Sequence, residues 1–183
     1  MEKKFKKYIK GKKIYLRLLK INDVNSEYLA WLNNKANNQY THVSKSNLTM
    51  LKNYVVSKLN DPEVLFFAII EKQTNKHIGN IKLEPINWLK KKAAFGRLIG
   101  RKKYKGKGYG SEAVKLLLKF CFKNLKLNKV VTSCSRKNIA AIKSNKKNGM
   151  KFEKKDKDIW VVTRFTDIIC LGISKKNWKK INK

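Results

Sequence analysis

The chain has 183 residues, a length that fits a single domain. Hydrophobic residues make up 42% of it, which is enough apolar surface for a packed interior and excludes a wholly disordered chain. The formal net charge is +33, yet 40 of the 45 basic residues are lysines. Lysine lacks the planar fork that reads base edges, so the composition argues against specific nucleic-acid recognition.

The positive charge has two interpretations. Abundant Asn and Ile beside Lys fit a genome biased toward A and T codons, and this account needs no ligand. A positive field would also speed the capture of an anionic small molecule at low salt. Both interpretations stay open at the level of the sequence.

Cysteine use and hydropathy bear on the compartment. Cys121, Cys134 and Cys170 form no close pair and leave one thiol over in any disulfide scheme, so we expect a reducing compartment. No apolar run follows the basic start of the chain as it would in a signal peptide, and no stretch approaches the roughly 18 apolar residues of a membrane span. The sequence predicts a cytoplasmic protein without membrane insertion.

The first part of the chain predicts a strand and two helices. Residues 14–19 form a short β-favouring run, and Asn22 or Asp23 then offers the N-cap of a helix that reaches Leu32. Apolar residues spaced three and four apart in residues 48–59 predict a second helix. This helix ends where the chain approaches a proline, which disfavours helical geometry in the residue before it.

The middle of the chain predicts a hairpin and then a loop between a strand and a helix. Residues 64–70 are continuously apolar, as in a central strand, and residues 77–83 return beside them. Residues 93–100 form a further strand. The basic, glycine-rich residues 102–110 then lead into a helix over residues 111–124.

The last part predicts a strand over residues 129–134 and a helix that Asn138 caps, followed by a stop at Gly149. Residues 150–153 and 159–172 favour closing antiparallel strands. Strands alternate with helices, without an internal repeat or a linker, so we expect one mixed α/β domain over residues 1–183. Residues 1–12 and 174–183 are expected to be mobile basic tails.

The loop Lys105-Gly106-Lys107-Gly108-Tyr109-Gly110 carries the strongest chemical signal. Its glycines let backbone N–H groups approach an anion closely, and the helix that follows begins with unpaired donors and a positive dipole end. A diphosphate fits such a loop, although a plain turn between a strand and a helix would look similar. The glycine spacing of dinucleotide-binding folds and the Gly-Lys-Ser/Thr of P-loops both fit worse.

This loop and its surroundings resemble the GNAT superfamily of acetyltransferases. The family signature is Arg or Gln, two residues of any kind, Gly, any residue, then Gly or Ala, and residues 105–110 match it with Lys105 in the first place. Residues 77–81 resemble the third strand of the family, residues 94–100 its fourth strand, and residues 138–150 its late helix and turn. The resemblance extends over nearly the whole chain.

The resemblance implies an acetyl-CoA-dependent N-acetyltransferase that uses no metal. Its α/β fold would have a mixed central sheet of about six to seven strands, with helices on both faces and a splay between the fourth and fifth strands. The backbone of Leu98, Ile99 and Gly100 would pair with the pantetheine arm, and Asn138 would bond the cofactor near its thiol, act as an N-cap, or do both. The diphosphate would be held by Lys105, Gly106, Lys107, Gly108, Tyr109, Gly110 and Ser111.

Catalysis needs an amine that loses a proton and a thiolate that regains one. Many relatives carry a Tyr acid at the position of Asn145 and a Glu at that of Ala94. Asn145 cannot protonate a thiolate, so water or another group does so, or the reaction is slow or absent. Ser144 and Tyr104 are candidate substitutes. Glu84 is the first choice for a base, and a surface ion pair with a lysine is its alternative role.

The acceptor is the least determined part of the site. Trp31, Asn33 and Asn34 would flank its pocket in the family, although Trp31 also fits a core position. This stretch resembles relatives in surface-polysaccharide biosynthesis, so the first hypothesis is a small amine, a nucleotide-linked amino sugar. The alternatives are a protein N-terminus, as on ribosomal proteins, and a polyanion-binding protein that has lost the chemistry. A monomer and a homodimer both fit.

Overall fold

A computed structural model describes residues 8–38, 46–156, 158–159 and 167–182 and contains one mixed sheet. Its eight described strands lie in the order β1-β2-β3-β4-β5-β6-β8-β7, and every neighbouring pair is antiparallel except β5 and β6. The strands are β1 (Ile9–Lys10), β2 (Ile14–Leu18), β3 (Leu65–Glu71), β4 (His77–Asn87), β5 (Lys92–Ile99), β6 (Lys129–Ser135), β7 (Lys151–Glu153) and β8 (Ile168–Ser174). The predicted mixed α/β sheet is confirmed, with slightly more strands than expected.

Helices cover both faces of this sheet. They are α1 (Ser26–Asn33), α2 (Lys35–Asn38), α3 (Leu48–Asn60), α4 (Tyr109–Lys123), α5 (Ile139–Lys147) and α6 (Lys175–Ile181). The apolar residues of α1 and α3 pack on the face that carries Phe66, Ala68 and Ile70. Helix α4 packs on the opposite face, against Phe67 and Ile69. Alternate residues of the strands therefore belong to two separate cores.

The first helix begins later than the sequence predicts. Asn25, rather than Asn22 or Asp23, caps α1, and its side chain accepts the backbone N–H of Tyr28 at 3.0 Å. Asp23 instead forms an ion pair with Arg17 at 2.6 Å. Asn22, Asp23 and Asn25 are close together in sequence, and all three residue types suit an N-cap. Only the position of α1 on the sheet distinguishes them.

The central feature of the sheet is the separation of β5 and β6. The two parallel strands pair only over Lys92 to Ala94, opposite Lys129 to Val131. One residue further along both strands, the hydroxyl of Thr132 on β6 donates to the carbonyl of Phe95 on β5 at 2.8 Å. This bond takes the place of the backbone hydrogen bond that continued pairing would have formed. Beyond this point the strands diverge. β5 corresponds to the fourth strand of the family and β6 to the fifth, so the splay lies where the sequence predicts it.

The closed end of the splay is held by charge. Lys92 and Lys129 lie opposite each other at the start of β5 and β6, and both ammonium groups reach Asp156 at 3.2 Å. Lys92 also binds Asp158, and Lys129 binds Glu153, both at 2.5 Å. Burial alone would raise the pKa of Asp156, but a backbone hydrogen bond and the two lysines outweigh it and lower that pKa.

The last described residues form a helix. Residues 175–181 form helix α6, and Trp178 is buried against Phe122, with 5.4 Å between the ring centroids. At the other end, Ile9 and Lys10 pair with β2, and residues 1–7 lie outside the described part. The predicted closing strand at residues 159–172 is seen only from Ile168 onward, since residues 160–166 also lie outside it.

Two further searches cover only the described residues. None of their helices is both long enough and apolar enough to cross a membrane. No group of three or more His, Cys, Asp or Glu side chains within this part of the chain is placed to hold a metal ion.

Replacing Asp156 by Asn should lower the free energy of unfolding at pH 7 by about 1–2 kcal/mol, because two ammonium groups lose a shared carboxylate. The folded-state pKa is lowered, so this stabilisation is complete above the unfolded pKa of about 4 and is lost as the pH falls through the folded value. The free energies of unfolding of the wild type and the variant, measured in urea, should therefore converge as the pH falls below that folded-state value. Asp158→Asn, on a more exposed carboxylate, is the matched control and should cost less; equal costs would contradict this account.

Candidate active site

Helix α4 begins without a side-chain cap. Gly108 is its N-cap residue in the left-handed region at φ 86°, and no side chain among the described residues caps its first N–H groups. The N–H of Glu112 bonds to the carbonyl of Gly108, so the amides of Tyr109, Gly110 and Ser111 precede the helical ladder. Gly106, at φ 73°, and Gly108 also leave open space where a Cβ would stand. These uncapped donors fit a diphosphate.

The lysines of the loop have different partners. The ammonium of Lys105 donates to the side-chain oxygen of Asn37 on α2, and burial lowers the pKa of Lys105. Lys107 is exposed, and its carbonyl accepts from the ammonium of Lys13 at 3.2 Å. Lys105 thus links the loop to α2, while Lys107 and Lys13 leave positive charge at the mouth of the loop.

The splay leaves one edge of β5 open. The N–H of Gly100 bonds to the carbonyl of Ile78 on β4 at 2.9 Å. Because such pairs alternate along an antiparallel ladder, Leu98 also turns its peptide groups toward β4, whereas Arg97 and Ile99 turn theirs toward β6. The sequence-based assignment of Leu98, Ile99 and Gly100 to the pantetheine is therefore consistent with the ladder only at Ile99. We expect Arg97 and Ile99 to supply the open peptide groups.

Arg97 also lines the candidate site, and the sequence analysis did not identify it. Its guanidinium donates to the side-chain oxygen of Asn145 on α5 at 2.9 Å. Its Nε lies 3.1 Å from the position that a Cβ on Gly110 would occupy, so it rests against the first turn of α4. A lone arginine inside the apolar strand of residues 93–99 is the sequence signal that could have indicated it.

Helix α5 forms the other wall of this cleft. Asn138 is its N-cap and accepts the N–H of Ala141 at 3.1 Å, so the N-cap role is confirmed while the cofactor contact stays a prediction. Asn145 is buried and faces Arg97. The hydroxyl of Ser144 is buried and has no hydrogen-bond partner among the described residues. Asn148 joins α5 to α4, since its amide donates to the hydroxyl of Ser111 at 3.0 Å.

Glu84 is not free to act as a base. Its carboxylate binds the ammonium groups of Lys58 and Lys82. Burial alone would raise the pKa of Glu84, but the two lysines outweigh it and hold that pKa below the ordinary value. A carboxylate with a lowered pKa is a weak proton acceptor, so the geometry supports the ion-pair role that the sequence left open.

The three residues assigned to the acceptor pocket have structural partners. Trp31 is buried, and its indole covers Gly100, where a Cβ would stand 2.0 Å from the ring. The side chain of Asn33 exchanges hydrogen bonds with the backbone of Ser46 at 3.0 and 3.2 Å. Asn34 accepts the N–H of Ala36 at 3.0 Å. Their contact with an acceptor therefore stays a prediction.

Replacing Gly108 by Asp should weaken CoA binding by about tenfold or more, because a carboxylate would compete with the phosphates for the first amides of α4. Isothermal titration calorimetry with CoA measures this effect. Gly108→Asn is the matched control, since Asn tolerates the left-handed backbone as Asp does but carries no charge. Equal affinities of the Asp and Asn variants would show that the phosphates do not lie at these amides.

Comparison with known proteins is consistent with this geometry. Residues 13–151 match the family model described as "Acetyltransferase (GNAT) domain". A spermidine N-acetyltransferase of Vibrio cholerae, solved with CoA and spermine, superimposes with a TM-score of 0.78 at 20% identity, over 91% of this chain and 98% of that one. A GNAT-family acetyltransferase of Bacillus anthracis gives a TM-score of 0.75 at 21% identity, over 92% and 99%.

Curated relatives match over shorter stretches. The uncharacterized N-acetyltransferase p20 of Bacillus licheniformis is 34% identical over 88 residues, which are 48% of this chain and 48% of that protein. The uncharacterized N-acetyltransferase YnaD of Bacillus subtilis (strain 168) is 38% identical over 50 residues, 27% of this chain and 29% of that protein. The match thus spans about half the length of p20 and less than a third of the length of YnaD. With a family match that extends over most of its length, this chain belongs to the GNAT acetyltransferase family.

Proposed function

We propose that this protein transfers the acetyl group of acetyl-CoA to the primary amine of a small, anionic acceptor of the nucleotide-linked amino-sugar type. The observation that carries the acceptor class is the positive charge beside the open face of the splay. On this face Gly96 is exposed, and a Cβ placed there would meet no atom within 4 Å. An acceptor could reach the splay through this space, opposite the side that carries α4 and α5.

Lys82 stands next to this opening. It is paired with Gly96 in the ladder between β4 and β5, so its side chain lies on the same face. Its ammonium donates to the hydroxyl of Tyr54 at 2.5 Å and lies 5.4 Å from the ring centre of Phe66. Because Lys58 and Lys82 share the single carboxylate of Glu84, the group keeps a net positive charge.

This charge favours a phosphate-bearing acceptor over a polycation. The solved Vibrio cholerae relative is named for spermidine, which carries several positive charges. A further ammonium about 4 Å from Lys82 would be repelled by about 1 to 4 kcal/mol, depending on the local dielectric. A phosphate at the same distance would be attracted by a similar amount. The charge of +33 also disfavours a basic ribosomal protein as the acceptor.

A polyanion-binding protein without chemistry is the second candidate, and the replacement of the usual acid by Asn145 favours it. The two candidates differ in one result. A transferase releases free CoA when acetyl-CoA and the acceptor are both present, whereas a binding protein is stabilised by acetyl-CoA or a polyanion without releasing thiol.

The residues divide the work of the proposed reaction. The amides of Tyr109, Gly110 and Ser111 would hold the diphosphate, and the peptide groups of Arg97 and Ile99 would align the pantetheine arm. Acetyl-CoA supplies an activated acetyl thioester. In the overall transfer the amine nitrogen gains the acetyl group and loses one proton, and the sulfur leaves with the C–S electron pair and gains one proton. Placement of the two substrates on either side of the splay supplies most of the rate enhancement.

Replacing Lys82 by Met should lower kcat/KM for a nucleoside-diphosphate-linked amino sugar by about tenfold, because the phosphates lose a cation. The reaction with the free amino sugar, which lacks the phosphates, should change by less than about twofold. A thiol-release assay with both sugars and with spermidine measures this. Lys52→Met, on an exposed lysine of α3, is the matched control. Preference of the wild type for spermidine, or an equal loss for both sugars, would contradict the proposed acceptor.

A further inference from the structure

The guanidinium of Arg97 carries a charge that the protein does not neutralise. Its one described side-chain partner is the neutral oxygen of Asn145, at 2.9 Å. No carboxylate within the described ranges forms an ion pair with it. It also lies against Gly110, in the first turn of α4, where the helix dipole is positive. The guanidinium therefore spans the cleft from the first turn of α4 to Asn145 on α5 and adds its positive charge to that of the helix end.

The surroundings make this charge costly. Desolvation lowers the pKa of Arg97 to about 10, while part of its surface stays accessible. Both facts fit a side chain at the bottom of a narrow open cleft. The group still carries its proton at neutral pH, so the cleft holds a permanent cation in a poorly solvated position. A poorly solvated cation in an open cleft is a candidate for acting on a ligand or a reaction.

The position of Arg97 along β5 indicates which anion it meets. The side chains of Ile99 and Arg97 both reach the first turn of α4, where the diphosphate fits, but the backbone of Arg97 lies two residues closer to the junction of the strands, and its guanidinium extends to Asn145 on α5. At that junction Thr132 closes the gap by bonding to Phe95. From Ile99 to Phe95 the strand rises about 13 Å. Arg97 thus lies toward the inner end of the cleft, where the thiol end of the carrier would come closest to the acceptor face.

The thioester itself carries no charge at this end, but the reaction creates one. When the amine nitrogen bonds to the acetyl carbon and the C–S bond breaks, the electron pair of that bond moves to sulfur. The sulfur is negative until it receives a proton, which the amine has released to water. A fixed cation at this point would stabilise the charge without transferring a proton itself.

We propose that Arg97, held in place by Asn145, is a catalytic residue that stabilises the negative charge on the departing sulfur. This inference rests on the proposed function and deepens it. The chain then has no need of an acid at position 145, because a guanidinium supplies the charge that an acid would otherwise neutralise. Asn145 is the positioning residue: its side-chain oxygen fixes the guanidinium between α4 and α5.

One titratable protein group faces the same place. The thiol of Cys134 on β6 interacts electrostatically with Arg97; burial raises its pKa, and the guanidinium partly offsets this. A measurement of bound CoA must therefore distinguish its sulfur from Cys134. CoA labelled with carbon-13 at the carbon bonded to sulfur does so, because the chemical shift of that carbon reports only the thiol of CoA.

The test is a pH titration of labelled CoA, free and bound to the protein. Binding to the wild type should lower the thiol pKa by about one unit or more, which is a tenfold preference for the thiolate. Arg97→Met should abolish this shift, Arg97→Lys should retain part of it, and Asn145→Ala should reduce it. With an acceptor present, Arg97→Met should lower kcat by about 10²-fold with little change in KM.

Other results would overturn the inference in distinguishable ways. If the wild type binds CoA and the thiol pKa is unchanged, Arg97 does not act on sulfur, although the proposed function stands. If Arg97→Met weakens CoA equally below and above the thiol pKa, Arg97 contacts the phosphates instead. If Arg97→Met does not fold, an unaltered thiol pKa in the folded Arg97→Lys and Asn145→Ala proteins has the same meaning. If the wild type binds no CoA at all, the proposed function fails as well.

Discussion

The separation of β5 from β6 is the feature on which the rest of the site depends. Parallel strands normally continue their ladder, but here pairing ends at Ala94 and Val131. The hydroxyl of Thr132 satisfies the first carbonyl left without a partner, that of Phe95, and the ionic cluster around Asp156 holds the paired end closed. The edge of β5 beyond Phe95 then offers peptide groups to a ligand, because an unpaired strand edge binds another extended chain readily.

The two faces of the splay differ in charge and covering. On one face, α4 and α5 bring uncapped amides and the guanidinium of Arg97 to a cleft that suits an anionic carrier. On the other face, Gly96 leaves space next to the ammonium of Lys82. Strand alternation produces this division, since Arg97 and Gly96 are neighbours in sequence and point to opposite faces. In the proposed reaction, one strand would thus serve both substrates.

The positive charge of the chain is organised locally even though lysines occur throughout. Around the splay, carboxylates are shared: Asp156 binds two lysines, and so does Glu84. The group at Glu84 leaves an excess of cation, whereas the cluster at Asp156 also includes Asp158 and Glu153 and therefore has more carboxylates than lysines. Codon bias is one interpretation of the many lysines, but it would not account for an arginine held by a buried asparagine between two helices.

The sequence by itself determined most of the order of strands and helices, although not β1, α2 or α6, and it indicated a loop suited to an anion, because periodicity, caps and glycine positions are local properties of the chain. It also indicated the family through motifs in the expected order. Only the tertiary structure decided which peptide groups of β5 are open, that Glu84 is bound by two lysines, and that Trp178 anchors the last helix. These depend on register and on contacts between residues far apart in the chain, such as Arg97 and Asn145, which no local pattern records.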